Sequence, residues 1–302
     1  MNLFVTAVSY APKLTLPDVQ RLRALLAAAG VALDAETRTG DARFEVYTAD
    51  GSVEVASGPD GAAEALAELR RAAAENGPAG VDTAIVPASL RSARRKFLIM
   101  DVDSTLIQQE VIELLAAYAG KRDEVTAVTE AAMRGELDFA QSLHARVAVL
   151  AGLPAGVVDS VIDEVKLSLG AAELVAAFRA AGHVVAVVSG GFNQILQPIA
   201  EGLGLDYWIA NELEIVDGAL TGKVIGEVVD RAAKEKYLRE WAAREGIPMD
   251  HTIAVGDGAN DLDMLGAAGI GVAFNAKPAV RAVADAAVNL PYLDAVRHIA
   301  GV

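Results

Sequence analysis

The segment FLIMDVDST, residues 97–105, decides the fold, because four apolar residues run directly into acidic and hydroxyl side chains. A short apolar run that ends in a polar cluster is typical of a buried strand leading to a binding crevice. The same pattern recurs at VVSGGF (187–192) and at VGDGANDLDM (255–264). Since ligands bind at the carboxyl ends of the strands in an open parallel sheet, we expect the three clusters to converge on one site.

From Lys96 onward, apolar runs alternate with long helical segments, which indicates an α/β domain with helices on both faces of a parallel sheet. The strands that we predict are Phe97–Met100, His183–Val188, Thr252–Val255, Ile270–Phe274 and Ala287–Leu290. A hairpin is predicted at Trp208–Val216 and Leu220–Val224. The helical pattern over Glu110–Arg179 is too long for one crossover, so we expect an inserted helical subdomain above the first strand.

The first part of the chain has the order βαββαβ, which is typical of a ferredoxin-like α+β domain. The predicted strands are Leu3–Ser9, Val31–Thr37, Arg43–Thr48 and Val81–Pro87, with helices at Pro17–Ala29 and Ala62–Glu75. Asn76-Gly77-Pro78 and then Ser92–Lys96 are predicted to form the joint to the next domain. We therefore expect one domain over residues 1–90 and a second over 91–302, with the helical insertion at about 107–170.

Composition excludes several classes of function. The chain has 302 residues and a formal net charge of −15, so its field repels nucleic acid and anionic membranes. It contains no cysteine, which excludes disulfides, thiolate catalysis and cysteine-ligated metals. The start of the sequence lacks a secretory pattern and no apolar run is long enough to span a membrane, so we expect a cytoplasmic protein.

Carboxylates dominate the expected site. In an extended segment Asp101 and Asp103 point the same way, and their mutual repulsion requires a cation or a shared proton. Asp257 and Asp261 can add oxygen ligands, which together suit Mg²⁺ beside a phosphate. The glycines next to Ser189 allow backbone N–H groups to approach an anion closely. This set predicts phosphoryl transfer through an aspartyl-phosphate, with one carboxylate as nucleophile and a second as acid and base.

The four motifs DVDST, VVSGGF, the Lys234 segment and GDGANDLDM together resemble the haloacid-dehalogenase superfamily over about two thirds of the chain, from Lys96 onward. The resemblance implies a Rossmann-like core with a helical cap, Asp101 as nucleophile and Asp103 as general acid and base. It implies one Mg²⁺ per site, held by Asp101, the Asp103 carbonyl and Asp257. It also implies phosphate contacts from Ser189, Gly190, Lys234 and Asn260, and a metal-shell role for Asp261. Sequence pattern alone does not separate Lys234 from the neighbouring Arg231, Lys236 and Arg239.

In this superfamily the cap supplies substrate selectivity, and the resemblance places Glu110, Met133, Phe139 and Arg146 there. Glu110 suits an ammonium and Arg146 a carboxylate, with Met133 and Phe139 closing the pocket. The implied reaction is hydrolysis of O-phospho-L-serine, the last step of serine synthesis. The first domain resembles ACT-like regulatory domains but lacks a glycine loop at residues 9–13, so we expect it to mediate homodimerisation rather than serine binding.

Other functions stay open at this point. Another small phosphomonoester is an alternative substrate, and an alcohol such as homoserine is an alternative acceptor in place of water. A receiver-type phosphoaspartate module is disfavoured by the two-aspartate motif and by the long insertion. An inactive amino-acid sensor is disfavoured because every catalytic position of the superfamily is occupied by the expected residue type.

Overall fold

A computed structural model describes residues 1–56, 59–133 and 138–302, without the side chains of residues 59 and 130–133. The described strands form one sheet of four strands and one of seven. The protein is thus an α/β chain with a parallel-rich sheet, preceded by an antiparallel-sheet domain, as predicted. None of the helices in these ranges combines the length and the apolar character that crossing a membrane requires.

The first sheet has the predicted βαββαβ order. Its elements are β1 (Asn2–Ala11), α1 (Leu16–Ala28), β2 (Ala32–Gly40), β3 (Glu45–Glu54), α2 (Pro59–Asn76) and β4 (Asp82–Pro87). The strands pair antiparallel in the order β2-β3-β1-β4. Thr15 and Asp18 form a reciprocal cap that fixes the start of α1. Leu22 and Leu69 from the two helices share a core with Val5 and Ile85, so both helices cover the same face.

The prediction that Asn76-Gly77-Pro78 belongs to the joint between domains is wrong. This turn connects α2 to β4, and β4 pairs with the central strand β1 from Val5↔Pro87 to Tyr10↔Asp82. The chain therefore returns to the first sheet after the turn. It then passes to the second sheet through the short helix α3 (Ala88–Ser92) and residues 93–96.

The second sheet contains every strand predicted for it, with ends that shift by a few residues. Its strands are β5 (Phe97–Met100), β6 (Val184–Phe192), β7 (Tyr207–Val216), β8 (Ala219–Ile225), β9 (Thr252–Gly256), β10 (Ile270–Phe274) and β11 (Ala286–Val288). The order is β11-β10-β9-β5-β6-β7-β8, and only the β7–β8 hairpin is antiparallel. β6 runs beyond its predicted end, and its pairing with β7 is interrupted between Val188 and Phe192.

Helices cover the second sheet and form the insertion. They are α4 (Val111–Tyr118), α5 (Arg122–Met133), α6 (Phe139–Ala148), α7 (Val157–Glu164), α8 (Ala171–Ala180), α9 (Asn193–Leu203), α10 (Arg231–Arg244), α11 (Leu262–Ala267), α12 (Pro278–Arg281) and α13 (Ala295–Ala300). Helices α4 to α7 follow β5, where the sequence predicts an insertion. Buried residues of the insertion, among them Leu115, Leu143 and Val161, belong to the same apolar cluster as Leu98 of β5 and Val185 of β6.

The two chain segments that lead into and out of this insertion form a short ribbon. Ile107 pairs antiparallel with Leu167. The Gln108 amide donates to the Lys166 carbonyl at 2.9 Å, and the Ser168 amide donates to the Leu106 carbonyl at 2.9 Å. We call residues 165–170 the return linker, because they carry the chain from the insertion back to α8.

The two sheets are docked through a shared core. Tyr10 in β1 is fully buried, and its hydroxyl donates to the Ala287 carbonyl in β11 at 2.8 Å. Val8 and Val86 of the first sheet join the same apolar cluster as Phe274 and Val288 of the second. The antiparallel sheet therefore packs one face on its own helices and the other on the β10–β11 side of the parallel sheet.

Two histidines, one buried and one half-buried, predict an acid-sensitive fold. Burial, and then the charge of Lys96, lowers the pKa of His183 to about 4, and burial also lowers the pKa of His298 to about 4. Both side chains are neutral in the folded chain, whereas the unfolded chain protonates them below about pH 6.5. The stability that this neutrality contributes is present above pH 6.5 and is lost as the pH falls towards 4.

The free energy of unfolding of the parent chain is expected to fall between pH 6.5 and pH 4. In His183→Leu we expect this fall to be smaller by up to about 3 kcal/mol. Urea melts across this range measure it. The exposed His144→Leu is the matched control and should keep the pH dependence of the parent chain. A His183→Leu curve parallel to that of the parent would contradict the assignment of neutral, buried His183.

Candidate active site

The three polar clusters follow strands that are neighbours in the sheet. β5 lies between β6 and β9, and the three strands run parallel. Residues that follow Met100, Val188 and Val255 therefore emerge at the same edge.

Asp101 is the first residue after β5 and is 4% exposed. Its backbone amide donates to the Val255 carbonyl at 2.9 Å, which ties it to β9. Its Oδ1 atom accepts from the Val102 amide at 2.8 Å and lies 2.7 Å from Nζ of Lys234. The carboxylate is thus held rigidly at the centre of the edge.

The chain after Asp101 does not stay extended, which corrects the local geometry expected from sequence. Residues 102–106 form a single wide turn in which Ser104 has a left-handed φ of 56°. A non-glycine residue in this region is strained. The Ser104 hydroxyl donates to Oε1 of Glu110 at 2.7 Å, and this contact helps to hold the turn.

The turn brings Asp103 back towards β6. Its Oδ1 accepts from the Val111 amide at 2.7 Å, and its Oδ2 accepts from the Ser189 hydroxyl at 3.1 Å. Burial, and next the negative charge of Glu110, raises the pKa of Asp103 to about 7. Asp103 therefore carries a proton for part of the time near neutral pH, which suits a group that gives and takes protons.

Ser189, Gly190 and Gly191 form a cradle next to Asp103. The Ser189 hydroxyl also accepts from the Gly191 amide at 2.8 Å. A Cβ atom on Gly191 would lie 2.8 Å from Oδ2 of Asp103, and one on Gly190 would lie 2.9 Å from Cζ of Phe139. A side chain at either position would displace the Asp103 carboxylate or the Phe139 ring, because both approach the glycine backbone closely.

Lys234 lies on the first turn of α10, which Asp230 caps through a 2.9 Å bond to the Ala233 amide. Its side chain is fully buried, and Nζ lies 2.7 Å from both Asp101 Oδ1 and Asp261 Oδ1. Burial disfavours its charge, but the attraction of Asp101 and Asp261 outweighs this and raises its pKa above the ordinary value. The neighbouring Lys236 instead pairs with Glu227 at the exposed surface.

Asp257, Asn260 and Asp261 line the end of β9. Asp261 is fully buried, and its Oδ2 accepts from the Gly258 amide at 2.9 Å. A Cβ atom on Gly256 would lie 2.5 Å from Cγ of Asp261, so this glycine leaves room for the buried carboxylate. Burial, followed by the charges of Asp261 and Glu110, raises the pKa of Asp257 to about 6.

These residues fit a metal ion. Carboxylate oxygens of Asp101, Asp257 and Asp261 lie within 4.8 Å of one another. With Asp103 there are four carboxylates in this part of the site, and the buried ammonium of Lys234 balances only a fraction of their charge. An all-oxygen, negatively charged donor set is typical of hard divalent cations.

The selectivity residues expected in the insertion differ in their exposure and in their contacts. Glu110 is exposed and directly precedes α4. Phe139 begins α6 and contacts Gly190, whereas Arg146 lies near the end of α6 and donates from Nε to the Ser142 carbonyl at 3.3 Å. Burial lowers the pKa of Arg146, whereas the negative charges of Glu110, Asp103 and Glu113 oppose that shift. The guanidinium is therefore close enough to these carboxylates to interact with them electrostatically. The side chain of Met133 lies outside the described residues.

Sequence reasoning missed Asn211, which is 2% exposed in β7. Its amide donates to the Gly190 carbonyl at 2.9 Å and accepts from the Val229 amide at 2.8 Å. The side chain thus joins the cradle to the segment that leads into α10 and Lys234. The predicted strand Trp208–Val216 also contains Glu212 and Glu214, so the sequence gives no signal that singles out Asn211.

With this geometry in place, comparison with known proteins defines the class. The sequence profile of the haloacid dehalogenase-like hydrolases matches residues 98–266, which is more than half of the chain, so the chain belongs to this family. A phosphoserine phosphatase of Streptomyces coelicolor is 60% identical over 235 residues, covering 78% of this chain and 57% of that protein. The chain spans little more than half the length of two curated relatives that it matches, 57% and 54%.

Two solved structures are also similar. A haloacid-dehalogenase family hydrolase from Salmonella enterica serovar Typhi superposes with a TM-score of 0.79 at 29% identity, over 97% of this chain and 98% of that one. A phospho-aspartyl intermediate analogue of a phosphoserine phosphatase gives a TM-score of 0.65 at 43% identity, over 68% of this chain and 99% of that one. The first of these matches therefore includes the N-terminal domain.

The carboxylate cluster predicts metal binding that can be measured without substrate. We expect Asp257→Asn to weaken Mg²⁺ binding at least about tenfold, because it removes one of three clustered negative oxygen donors. Isothermal titration of the full chain with Mg²⁺ measures the change. Asp159→Asn, on an exposed position of α7, is the control and should bind as the parent does. Equal affinities in all three proteins would contradict the site.

Proposed function

We propose that this chain hydrolyses O-phospho-L-serine to L-serine and phosphate, as the last step of serine synthesis. The observation that carries the proposal is the buried Asp101–Lys234–Asp261 ion cluster beside Asp103 and the Ser189 cradle. The phosphoserine phosphatases to which the chain is similar support the substrate.

Asp101 is the proposed nucleophile, and its carboxylate oxygen forms a bond to phosphorus as the bond from phosphorus to the serine oxygen breaks. Asp103 gives its proton to the departing serine oxygen. Asp103 then takes a proton from a water molecule, whose oxygen attacks the phosphorus of the aspartyl-phosphate. Phosphate leaves and the Asp101 carboxylate is restored.

Lys234 and the cradle complete the proposed machinery. Lys234 orients Asp101 and offsets charge as phosphoryl oxygens approach, while the Ser189 hydroxyl and the amides of the cradle donate to those oxygens. Asn260 is assigned to the phosphate and Asp261 to the metal shell. A bound Mg²⁺, which Asp101, the Asp103 carbonyl and Asp257 would hold, supplies charge stabilisation for the phosphoryl oxygens.

Substrate selection is assigned to the insertion. Glu110 would pair with the ammonium and Arg146 with the carboxylate of phosphoserine, while Phe139 and Met133 exclude water.

We further assign residues 1–90 to an ACT-like domain and 91–302 to the phosphatase domain, with the insertion at about 107–170. Homodimerisation through the first domain and a cytoplasmic location stay predictions from the sequence.

The test of the reaction is phosphate release from O-phospho-L-serine in the presence of Mg²⁺, beside phosphorylated alcohols, amines and sugars. We expect a strong preference for phosphoserine that is lost on adding EDTA and in Asp101→Asn. A second arm adds homoserine and other alcohols as acceptors and looks for their phosphorylated products. Dominant transfer to an alcohol, or equal rates across the panel, would replace the proposed reaction or substrate.

Arg146 provides a sharper test of the amino-acid pocket. Arg146→Ala should raise KM for phosphoserine about 30-fold or more, since it removes a charge-assisted pairing with the carboxylate. O-phosphoethanolamine has the same ammonium and phosphate but no carboxylate, so its KM should change little. Arg122→Ala, exposed at the start of α5, is the control for altering charge on the insertion. Equal effects of Arg146→Ala on both substrates would refute the pocket.

A further inference from the structure

The return linker lies against the C-terminal segment of the chain. Leu169 forms a parallel bridge with Tyr292, and the Leu293 amide donates to the Leu169 carbonyl at 2.7 Å. Gly170 then caps the start of α8 without any side chain to satisfy the helix end. The path of the chain out of the insertion is therefore set by residues 292–294.

The side chain of Asp294 packs against Gly170. It is fully buried, and a Cβ atom on Gly170 would lie 2.1 Å from its Oδ1 atom. Gly170 also has a left-handed φ of 81°. The carboxylate thus rests directly on the glycine backbone at the N-terminal end of α8, where a negative charge is favourable.

The counter-charge for Asp294 comes from the first domain. Arg43 lies 2.8 Å from Oδ2 with one guanidinium nitrogen and 3.3 Å from Oδ1 with the other. The guanidinium is 5.3 Å from the centre of the Tyr292 ring, and Phe44 stacks on the same ring at 5.8 Å. Asp41 accepts from Arg43 at 2.8 Å and fixes its direction.

The remaining hydrogen bonds between the first domain and the C-terminal part of the second end elsewhere. Within the described ranges they reach residues 285, 287 and 289, through Arg70, Tyr10 and Asp82. Arg91, directly after the first domain, reaches residues 298 and 299. These hydrogen bonds connect the first domain and α3 to the C-terminal segment, and none of them reaches the return linker. The Arg43–Asp294 pair is distinct because Asp294 contacts both the first domain and the linker.

We propose that Asp294 is a positioning residue through which the first domain fixes the return linker of the insertion. With Arg43 in place, its positive charge balances that of the Asp294 carboxylate, and the carboxylate holds Gly170 in position. The insertion then keeps the position that presents Arg146 and Phe139 to the cradle. A change in the first domain that withdraws Arg43 leaves a buried, unpaired charge against Gly170 and loosens the linker. The kinetic part of this inference rests on the proposed function, whereas the structural part does not.

The experiment compares hydrogen exchange and kinetics in the full chain carrying Arg43→Ala, Arg43→Lys or Asp294→Asn. For Arg43→Ala and Asp294→Asn we expect exchange of amides 165–170 to accelerate about fivefold or more, the usual lower range of coupling between sites. KM for phosphoserine should rise by a similar factor while kcat changes less than about twofold. Arg43→Lys keeps the positive charge but loses the two-nitrogen pairing with Asp294, so both effects should be present but smaller than in Arg43→Ala.

Arg70→Ala is the matched control, because it removes an arginine–aspartate pair of the same domain interface away from the linker. It should leave exchange of amides 165–170 unchanged. Equal acceleration in Arg70→Ala and Arg43→Ala, or no acceleration in Arg43→Ala, would overturn the proposal. A parent chain without phosphoserine activity, but with faster linker exchange in Arg43→Ala and Asp294→Asn and not in Arg70→Ala, would reject the proposed function and uphold the positioning role.

Discussion

The buried ion cluster of Lys234, Asp101 and Asp261 is the constraint on which the rest of the structure depends. An ammonium with no exposure is stable only when carboxylates hold it closely, and here both lie at 2.7 Å. The three residues come from the end of β5, the end of β9 and the start of α10. The parallel pairing of β5 with β9 and the start of α10 at the Asp230 cap bring the three side chains together.

The cluster also explains why glycine recurs around the site. Gly256 leaves space for Asp261, and Gly191 leaves space for Asp103, so the backbone comes close enough to donate to oxygen atoms. Four carboxylates gathered around one ammonium leave an excess of negative charge. Such an excess favours binding of a cation. Under the proposed function, a bound cation and the cradle would together offset the chain's net charge of −15 for an approaching phosphate dianion.

The sequence predicts the parts of this arrangement that depend on local patterns. Apolar runs ending in polar clusters locate β5, β6 and β9, because strand periodicity and strand ends are local properties. Lys234 and Lys236 cannot be separated in this way, since only the packing of α10 decides which one is buried. The strained turn at Ser104 and the long-range contacts of Asn211 and Asp294 are equally inaccessible, because they depend on residues far away in the chain.

The insertion is attached to the second sheet at more than one point, which fixes the positions of its residues relative to the site. Beyond the ribbon at its base, the loop after α6 is bonded to the β7–β8 hairpin: the Gly152 amide donates to the Leu220 carbonyl, and the Leu220 amide donates to the Leu153 carbonyl, both at 2.8 Å. Arg146 lies on α6 shortly before this attachment, so its backbone is fixed relative to the sheet. Under the proposed function, a guanidinium held in this way would lose little further freedom on binding the substrate carboxylate, which would favour selectivity for one small substrate. The return linker is the opposite end of the same insertion, and there the first domain makes its contact through Arg43 and Asp294.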